Sequence, residues 1–287
     1  MQKSAKIMVL GAGGQLGKTF VDKLQKLEYN FIAPQESESD ITQQQKIASL
    51  INEEQPDTII NCAAYNAVDV AEKNSKLAYL VNSEAIGNLA AVCFEKNIKL
   101  VHYSSDYIFD GTKDGFYSEE DPPNPLNVYG KSKLEGEMQL RQNTRNYLLF
   151  RLSWVIGPGE QNFLFKMSQW AEKNPVLKIS ADEVSIPTFT FDIVEFTLKA
   201  LDKNLTGLYH LTSSGYASRY ELARFYAEQT GIDKLIIPVA LSHFNMPASR
   251  PMFSCLSNEK LTRDLGVKLP HWKESLKKYV QEVQSAK

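Results

Sequence analysis

Tyr129 and Lys133 stand four residues apart in the run Tyr129-Gly130-Lys131-Ser132-Lys133. On a helix that spacing puts both side chains on one face. An ammonium beside a phenol favours the phenolate and lowers the tyrosine pKa. A phenol tuned in this way can give a proton to an alkoxide formed by hydride delivery, or take one back. Lys131 falls on another face and reads as a solvated side chain. Earlier in the chain, Ser104-Ser105-Asp106 closes the apolar run that starts at Leu100. A serine there can donate a hydrogen bond to a carbonyl oxygen undergoing reduction, although taken alone it is also an ordinary cap or turn residue.

A third group is Gly11-Ala12-Gly13-Gly14-Gln15-Leu16-Gly17, a GxxGxxG pattern that follows the apolar run Ile7-Met8-Val9-Leu10. Gly11 permits a tight turn, Gly14 lets backbone approach a pyrophosphate, and Gly17 lets a helix pack close to a sheet. The N-terminus of the helix that opens there presents unpaired N–H groups and a positive dipole end to phosphates. Its place between a first strand and a first helix separates a dinucleotide site from a plain tight turn. The ribose-reading acidic residue expected after the second strand has one candidate, Glu36, in Pro34-Gln35-Glu36-Ser37-Glu38. No Arg or Lys stands there to accept a 2′-phosphate, so NADH and NADPH both remain open as the cofactor.

The elements that must position these groups alternate. Strands are predicted at Lys6–Leu10, Asn30–Ala33, Thr58–Asn61, Leu100–Ser104 and Tyr147–Leu152, with helices over Gln15–Lys26, Thr42–Glu53, Ser83–Glu95 and near Tyr129–Gln142. Asp40 or Thr42 would cap the second helix. Such alternation implies βαβ units: an α/β fold with a Rossmann-type doubly wound parallel sheet, binding ligands at the carboxyl ends of its strands. Beyond Ser153 the pattern loosens and prolines accumulate. There Asp192–Asp202 reads as a helix, Ser218-Arg219-Tyr220-Glu221 as a capping box opening a helix to about Thr230, and Ser257–Leu265 as a short helix with Gly266 at its end. We therefore expect a dinucleotide-binding domain over residues 1–153, return segments near 185–210, and a smaller, lid-like, partly interleaved lobe over 154–287.

The composition narrows the function class. The chain has 287 residues, 43% of them apolar and 23% charged, with 32 Lys and Arg against 34 Asp and Glu. That balance provides no basic field to hold nucleic acid. Three cysteines, Cys62, Cys93 and Cys255, are too few and too scattered for a disulfide framework. His102, His210, His243 and His271 have no metal-ligand spacing. No run of about 18 apolar residues suggests a membrane span, and the basic start Met1–Lys6 precedes an apolar run too short for a signal peptide. The expectation is a reduced, cytoplasmic protein with neither membrane nor nucleic-acid partner.

Together GxxGxxG, a Ser after the fourth strand and YxxxK resemble the extended short-chain dehydrogenase/reductase family. Asn61-Cys62-Ala63-Ala64-Tyr65, Ala67-Val68-Asp69-Val70-Ala71-Glu72, His102-Tyr103-Ser104-Ser105-Asp106-Tyr107-Ile108-Phe109-Asp110-Gly111, the run Pro125 to Glu137, and Arg151-Leu152-Ser153-Trp154-Val155 narrow the match to one branch. They resemble the dTDP-4-dehydrorhamnose reductases. Pro187-Thr188, Gly207-Leu208-Tyr209-His210-Leu211 and Arg250-Pro251 extend it along nearly the whole chain.

The resemblance implies roles residue by residue. Tyr129 is the proton donor, Lys133 holds the nicotinamide ribose, and Ser105 orients the sugar carbonyl. Gly14, Gln15 and Leu16 lie at the pyrophosphate, Asp40 and Ile41 near the adenine, and Ala63, Ala64 and Tyr65 along the cofactor. Asp106 and Trp154 contact the sugar nucleotide, and Arg250 meets its diphosphate. Ser105 replaces the threonine of many members and keeps the hydroxyl. Ser185-Ile186-Pro187-Thr188 lacks the usual glycine two before the proline, which would reshape the sugar pocket. Some members bind magnesium through glutamates at a dimer interface; the first would fall near Thr19, so no metal is expected, while a homodimer stays compatible. The expected activity is reduction of the C4 carbonyl of dTDP-4-dehydro-L-rhamnose. Competing readings are a 4-epimerase, a reductase of another nucleotide sugar, and a non-catalytic regulatory subunit like that of methionine adenosyltransferase. A 4,6-dehydratase would carry an acidic pair after the serine, where Tyr107 stands instead.

Overall fold

In the computed structural model, residues 4–285 are described. Met1–Lys3, half of the basic start, and the last two residues lie outside them. The chain opens with β1 (Ile7–Leu10), α1 (Gln15–Lys26), β2 (Phe31–Ile32), α2 (Gln44–Glu54) and β3 (Thr58–Asn61). Two short helices follow, α3 (Val68–Ala71) and α4 (Ser75–Tyr79), and a π-helical turn over Leu80–Glu84 leads into α5 (Ala85–Glu95). Then come β4 (Lys99–Ser105), α6 (Val128–Asn143) and β5 (Tyr147–Leu152).

These strands, with β10 (Gly207–His210) from late in the chain, form a six-stranded sheet in the order β10-β5-β4-β3-β1-β2, parallel at every pairing. The strand order reverses between β1 and β3, the crevice where such sheets bind ligands. Apolar residues on both strand faces explain the double winding. Ile7, Val9, Ile60, Val101 and Phe150 pack with Phe20 and Leu24 of α1 on one face. Met8, Leu10, Ile59 and Leu100 pack with Ile47, Ile51, Ile86 and Leu89 of α2 and α5 on the other. The run Ser75–Glu95 is long and apolar enough to cross a membrane by composition, but Ala78, Ala85, Ile86, Leu89 and Ala90 are buried within the protein. It is a core helix.

Several boundaries differ from expectation. The second strand keeps only two paired residues, because Pro34 and the turn after it leave no further partner on β1. The helix expected at Ser83 starts at Ser75 and passes through the π turn. Gln43, rather than Asp40 or Thr42, is the N-cap of α2. Asp40 instead folds the turn before it, accepting from the Thr42 backbone N–H at 2.9 Å and the Thr42 hydroxyl at 2.7 Å.

The rest of the chain supplies β6 (Val155–Ile156), α7 (Phe163–Lys173), β7 (Val176–Ser180), β8 (Val184–Ser185), β9 (Thr188–Phe189) and α8 (Thr190–Asp202) before β10. It continues with β11 (Ala217–Ser218), α9 (Arg219–Thr230), β12 (Leu235–Val239), α10 (Glu259–Leu265) and α11 (Trp272–Ser285). Helix α8 returns to the α1 face of the large sheet. A separate apolar cluster gathers Trp154, Leu164, Met167, Leu177, Ile179, Leu222, Tyr226, Trp272 and Leu276. The capping box forms as expected, with Ser218 and Glu221 bonded reciprocally, and Gly266 closes α10 in the left-handed conformation. Helices α7 and α11 and the parallel pair β7 and β12 are additions to the elements expected from sequence.

Candidate active site

A cleft of about 770 Å³ opens at the carboxyl ends of β1, β3, β4 and β5. Its floor at the sheet switch point is the glycine turn. Gly11 has φ +70°, and a Cβ there would lie 2.5 Å from the Ala63 backbone nitrogen, so the first and third strand ends touch backbone to backbone. A Cβ on Gly17 would lie 2.2 Å from the Gly11 carbonyl oxygen, which is how closely α1 leans on the turn. Gly14 differs: a Cβ there meets only the Gly11 oxygen, at 3.5 Å, and the space beyond is the cleft. Helix α1 starts there with no side-chain cap and no acidic residue in its first turn. Open backbone N–H groups, a positive dipole end and room at Gly14 fit the phosphates of a dinucleotide.

The second wall carries the groups able to move a proton. Helix α6 begins with Asn127 as N-cap, its side-chain oxygen accepting from the Gly130 backbone at 2.8 Å. A Cβ on Gly130 would sit 2.1 Å from the Tyr107 carbonyl, so only glycine lets the first turn of α6 press against the turn Asp106–Ile108 that follows β4. That contact brings the Tyr129 phenol and the Ser105 hydroxyl onto one wall of the cleft, with the Tyr107 ring edge-on at 5.9 Å. One turn on, Lys133 is almost wholly buried, and its Nζ donates to the Tyr103 carbonyl at 2.6 Å.

The expected lowering of the Tyr129 pKa does not occur in this structure. Burial pushes the phenol up to about 12, the neighbouring Ser105 hydroxyl offsets this only in part, and Asp106 adds to the rise. Lys133 faces the Tyr103 carbonyl rather than the phenol, and burial brings its own pKa down to about 8. Asp106 is held beneath the wall by three hydroxyls, from Ser105 at 3.0 Å, Ser185 at 2.9 Å and Ser254 at 2.6 Å. Burial still raises its pKa above the usual carboxylate range. Ser185 is completely buried and does not line the cleft, so the missing glycine adds a donor to Asp106 rather than bulk to the pocket.

The cleft thus brings together Gly14, Gln15, Leu16, Ala63, Ala64, Ser105, Asp106, Tyr129, Lys133 and Trp154. Other expected residues lie elsewhere. Ile41 is a core side chain on the α2 face. Tyr65 is held through its backbone by Asn82, which accepts from its N–H at 2.8 Å and donates to its carbonyl at 3.0 Å. Glu36 is exposed on its loop. Arg250 does not line the cleft; its guanidinium is bidentate on Asp69, at 3.1 and 2.6 Å. Thr19 hydrogen-bonds Thr190 at 2.9 Å. The cysteines are free thiols.

The model of the RmlD substrate binding domain matches residues 5–285. A dTDP-4-dehydrorhamnose reductase of Burkholderia thailandensis is 36% identical, the match covering 98% of this chain and 99% of that protein. The chain belongs to the dTDP-4-dehydrorhamnose reductase family. A spore coat polysaccharide biosynthesis protein, SpsK of Bacillus subtilis, is 35% identical over 98% of this chain and 99% of its own. The crystal structure of dTDP-4-dehydrorhamnose reductase from Bacillus anthracis in complex with NADP superposes with a TM-score of 0.94 at 31% identity, covering 97% of this chain and 99% of that one.

For a member of the dTDP-4-dehydrorhamnose reductase family, the cleft holds residues that the sequence reading passed over. Arg219 and Lys166 line it from α9 and α7, with Glu160 and Gln161 beside them. Asn82, buried in the π turn, also bonds the Ser132 hydroxyl at 3.0 Å, and Ser132 in turn bonds the Tyr129 carbonyl at 2.8 Å. In the sequence Arg219 belongs to a capping box, and nothing local marks it as lining a site.

Proposed function

We propose that this chain reduces the C4 carbonyl of dTDP-4-dehydro-L-rhamnose to dTDP-L-rhamnose, using NADPH or NADH. The observation that carries the reading is the wall formed by Ser105, Tyr129 and Lys133, set across one cleft from the open turn at Gly14. Gly14, Gln15 and Leu16 would hold the cofactor phosphates, with Ala63 and Ala64 along the end of β3. The reduced nicotinamide, when bound, supplies a hydride. The Tyr129 hydroxyl gives its proton to the oxygen that becomes the C4 hydroxyl. The Ser105 hydroxyl orients that oxygen, and Lys133 supplies positive charge one helical turn from the phenol. A phenol held at about 12 keeps its proton until the oxygen beside it becomes a stronger base. Asp106 and Trp154 would border the sugar.

A reductase of another nucleotide sugar stays as the second reading, because the match to SpsK is as extensive as that to the reductases. The test is oxidation of NADPH by purified protein with dTDP-4-dehydrorhamnose, compared with other 4-keto nucleotide sugars and with no acceptor. Tyr129→Phe should keep cofactor binding and lower kcat by about 10²–10⁴-fold. A kcat within about threefold of wild type, where chemistry limits the rate, rules out the proton-donor role.

A further inference from the structure

Arg219 is fixed on three sides and left open on the fourth. Its Cζ lies 3.5 Å from the centroid of the Trp154 ring, with the Phe163 ring at 5.2 Å. A planar guanidinium that close to an indole is held by stacking and cation–π attraction. Its Nε faces Glu183 at 3.6 Å, and its backbone N–H donates to the Glu183 carbonyl at 3.2 Å. Glu183 is itself buried and accepts from the Tyr107 hydroxyl at 3.4 Å.

The terminal nitrogens of Arg219 make no hydrogen bond to any described residue, while its side chain is only 20% exposed and lines the cleft. A guanidinium is donor-only, with a fork of N–H groups on its terminal nitrogens. Those donors reach only the solvent of the cleft, so an acceptor placed there would meet them without displacing a protein partner. The platform beneath is unusual as well. Trp154 has φ +37°, in the left-handed region, and its indole nitrogen is buried without a partner. Strain of this kind persists where the surroundings enforce it, commonly at ligand sites.

We infer that Arg219 binds the diphosphate of the nucleotide-sugar substrate on its open edge, with Trp154 holding the guanidinium flat. This rests on the nucleotide-sugar reading above. Two neighbouring oxyanions match the fork in a bidentate contact, which a point charge cannot reproduce. Net charge is not the source of recognition, since Glu183 lies 3.6 Å from Arg219 and Glu160 lines the same cleft as Arg219 and Lys166. Arg250 is taken by Asp69. The cofactor's own diphosphate has the uncapped start of α1, so Arg219 is left for the second ligand.

Calorimetry with thymidine diphosphate, thymidine and NADPH tests this on wild type, Arg219→Gln and Arg219→Lys. Arg219→Gln should weaken thymidine diphosphate by about tenfold or more. Its affinities for NADPH and thymidine should stay within about threefold of wild type, and retained NADPH binding also reports the fold. Arg219→Lys should fall between, because it keeps charge without the fork. Should Arg219→Gln fail to fold, Arg219→Lys decides: weaker thymidine diphosphate with unchanged NADPH supports the assignment, and equal affinity overturns it. Wild-type affinity for thymidine diphosphate in Arg219→Gln overturns the inference and leaves the nucleotide-sugar reading standing. Loss of NADPH affinity in a folded variant moves Arg219 to the cofactor and overturns it too. A wild type that binds NADPH but not thymidine diphosphate sinks the dTDP-sugar reading, and this inference with it.

Discussion

Among single residues, the buried lysine makes the clearest demand on solution conditions. Lys133 is pulled down to about 8 by burial, with Glu137 acting in the opposite direction. Below that pH its Nζ is charged and can support negative charge developing on Tyr129. As pH rises through about 8 that charge is lost. The value of kcat/KM for the reduced cofactor, which reports the free enzyme, should therefore fall on the alkaline side, approaching tenfold per unit. A profile flat between about pH 7 and 9.5 would separate the lysine's charge from its function. The same burial sets Tyr129 high, so the phenol is a poor acid until the carbonyl oxygen gains charge. The Tyr–Lys spacing was legible in the chain. The direction of the tyrosine shift was not, because desolvation depends on what covers the ring.

The strand–turn–helix unit at the start of the chain separates two glycines that look alike in sequence. Gly14 has φ −77° and ψ 167°, a conformation any residue adopts, and the space beside it is the cleft. Gly14→Val should fold with a thermal midpoint within a few degrees of wild type, yet lose about tenfold or more in NADPH affinity. Gly17 has no such space, and a Cβ would overlap the Gly11 carbonyl. Gly17→Val should lose about 1–3 kcal/mol or more of stability, read by denaturant unfolding, whatever the cofactor concentration. If both variants behave alike, the turn is a packing device rather than a phosphate cradle. Helix α6 shows the same dependence on close approach, since Gly130 lets its first turn reach the turn that follows β4.

Across the whole molecule, Trp154 joins the sheet to the apolar cluster beyond it. It follows β5, is 8% exposed, packs among the residues of that cluster and still lines the cleft. Trp154→Ala should raise KM for the sugar nucleotide about tenfold, leave NADPH affinity nearly intact, and cost about 3 kcal/mol in urea unfolding. Collapse of cofactor binding in a folded variant would place the indole on the wrong ligand. The chain by itself determined the parallel sheet, through apolar runs spaced by amphipathic helices. It also determined the glycine turn, Ser105 and the Tyr129–Lys133 pair, because each is written within a few consecutive residues. Tertiary structure alone decided which arginine faces the cleft. Sequence resemblance points to Arg250 and leaves Arg219 as part of a capping box, but α9 stacks Arg219 on Trp154 while Asp69 takes Arg250. It also decided that Ser185 serves Asp106 and that Asn82 ties Tyr65 to α6. Such contacts join segments far apart in the chain. They arise from how the core packs and from the need to satisfy each buried polar group, which no local pattern encodes.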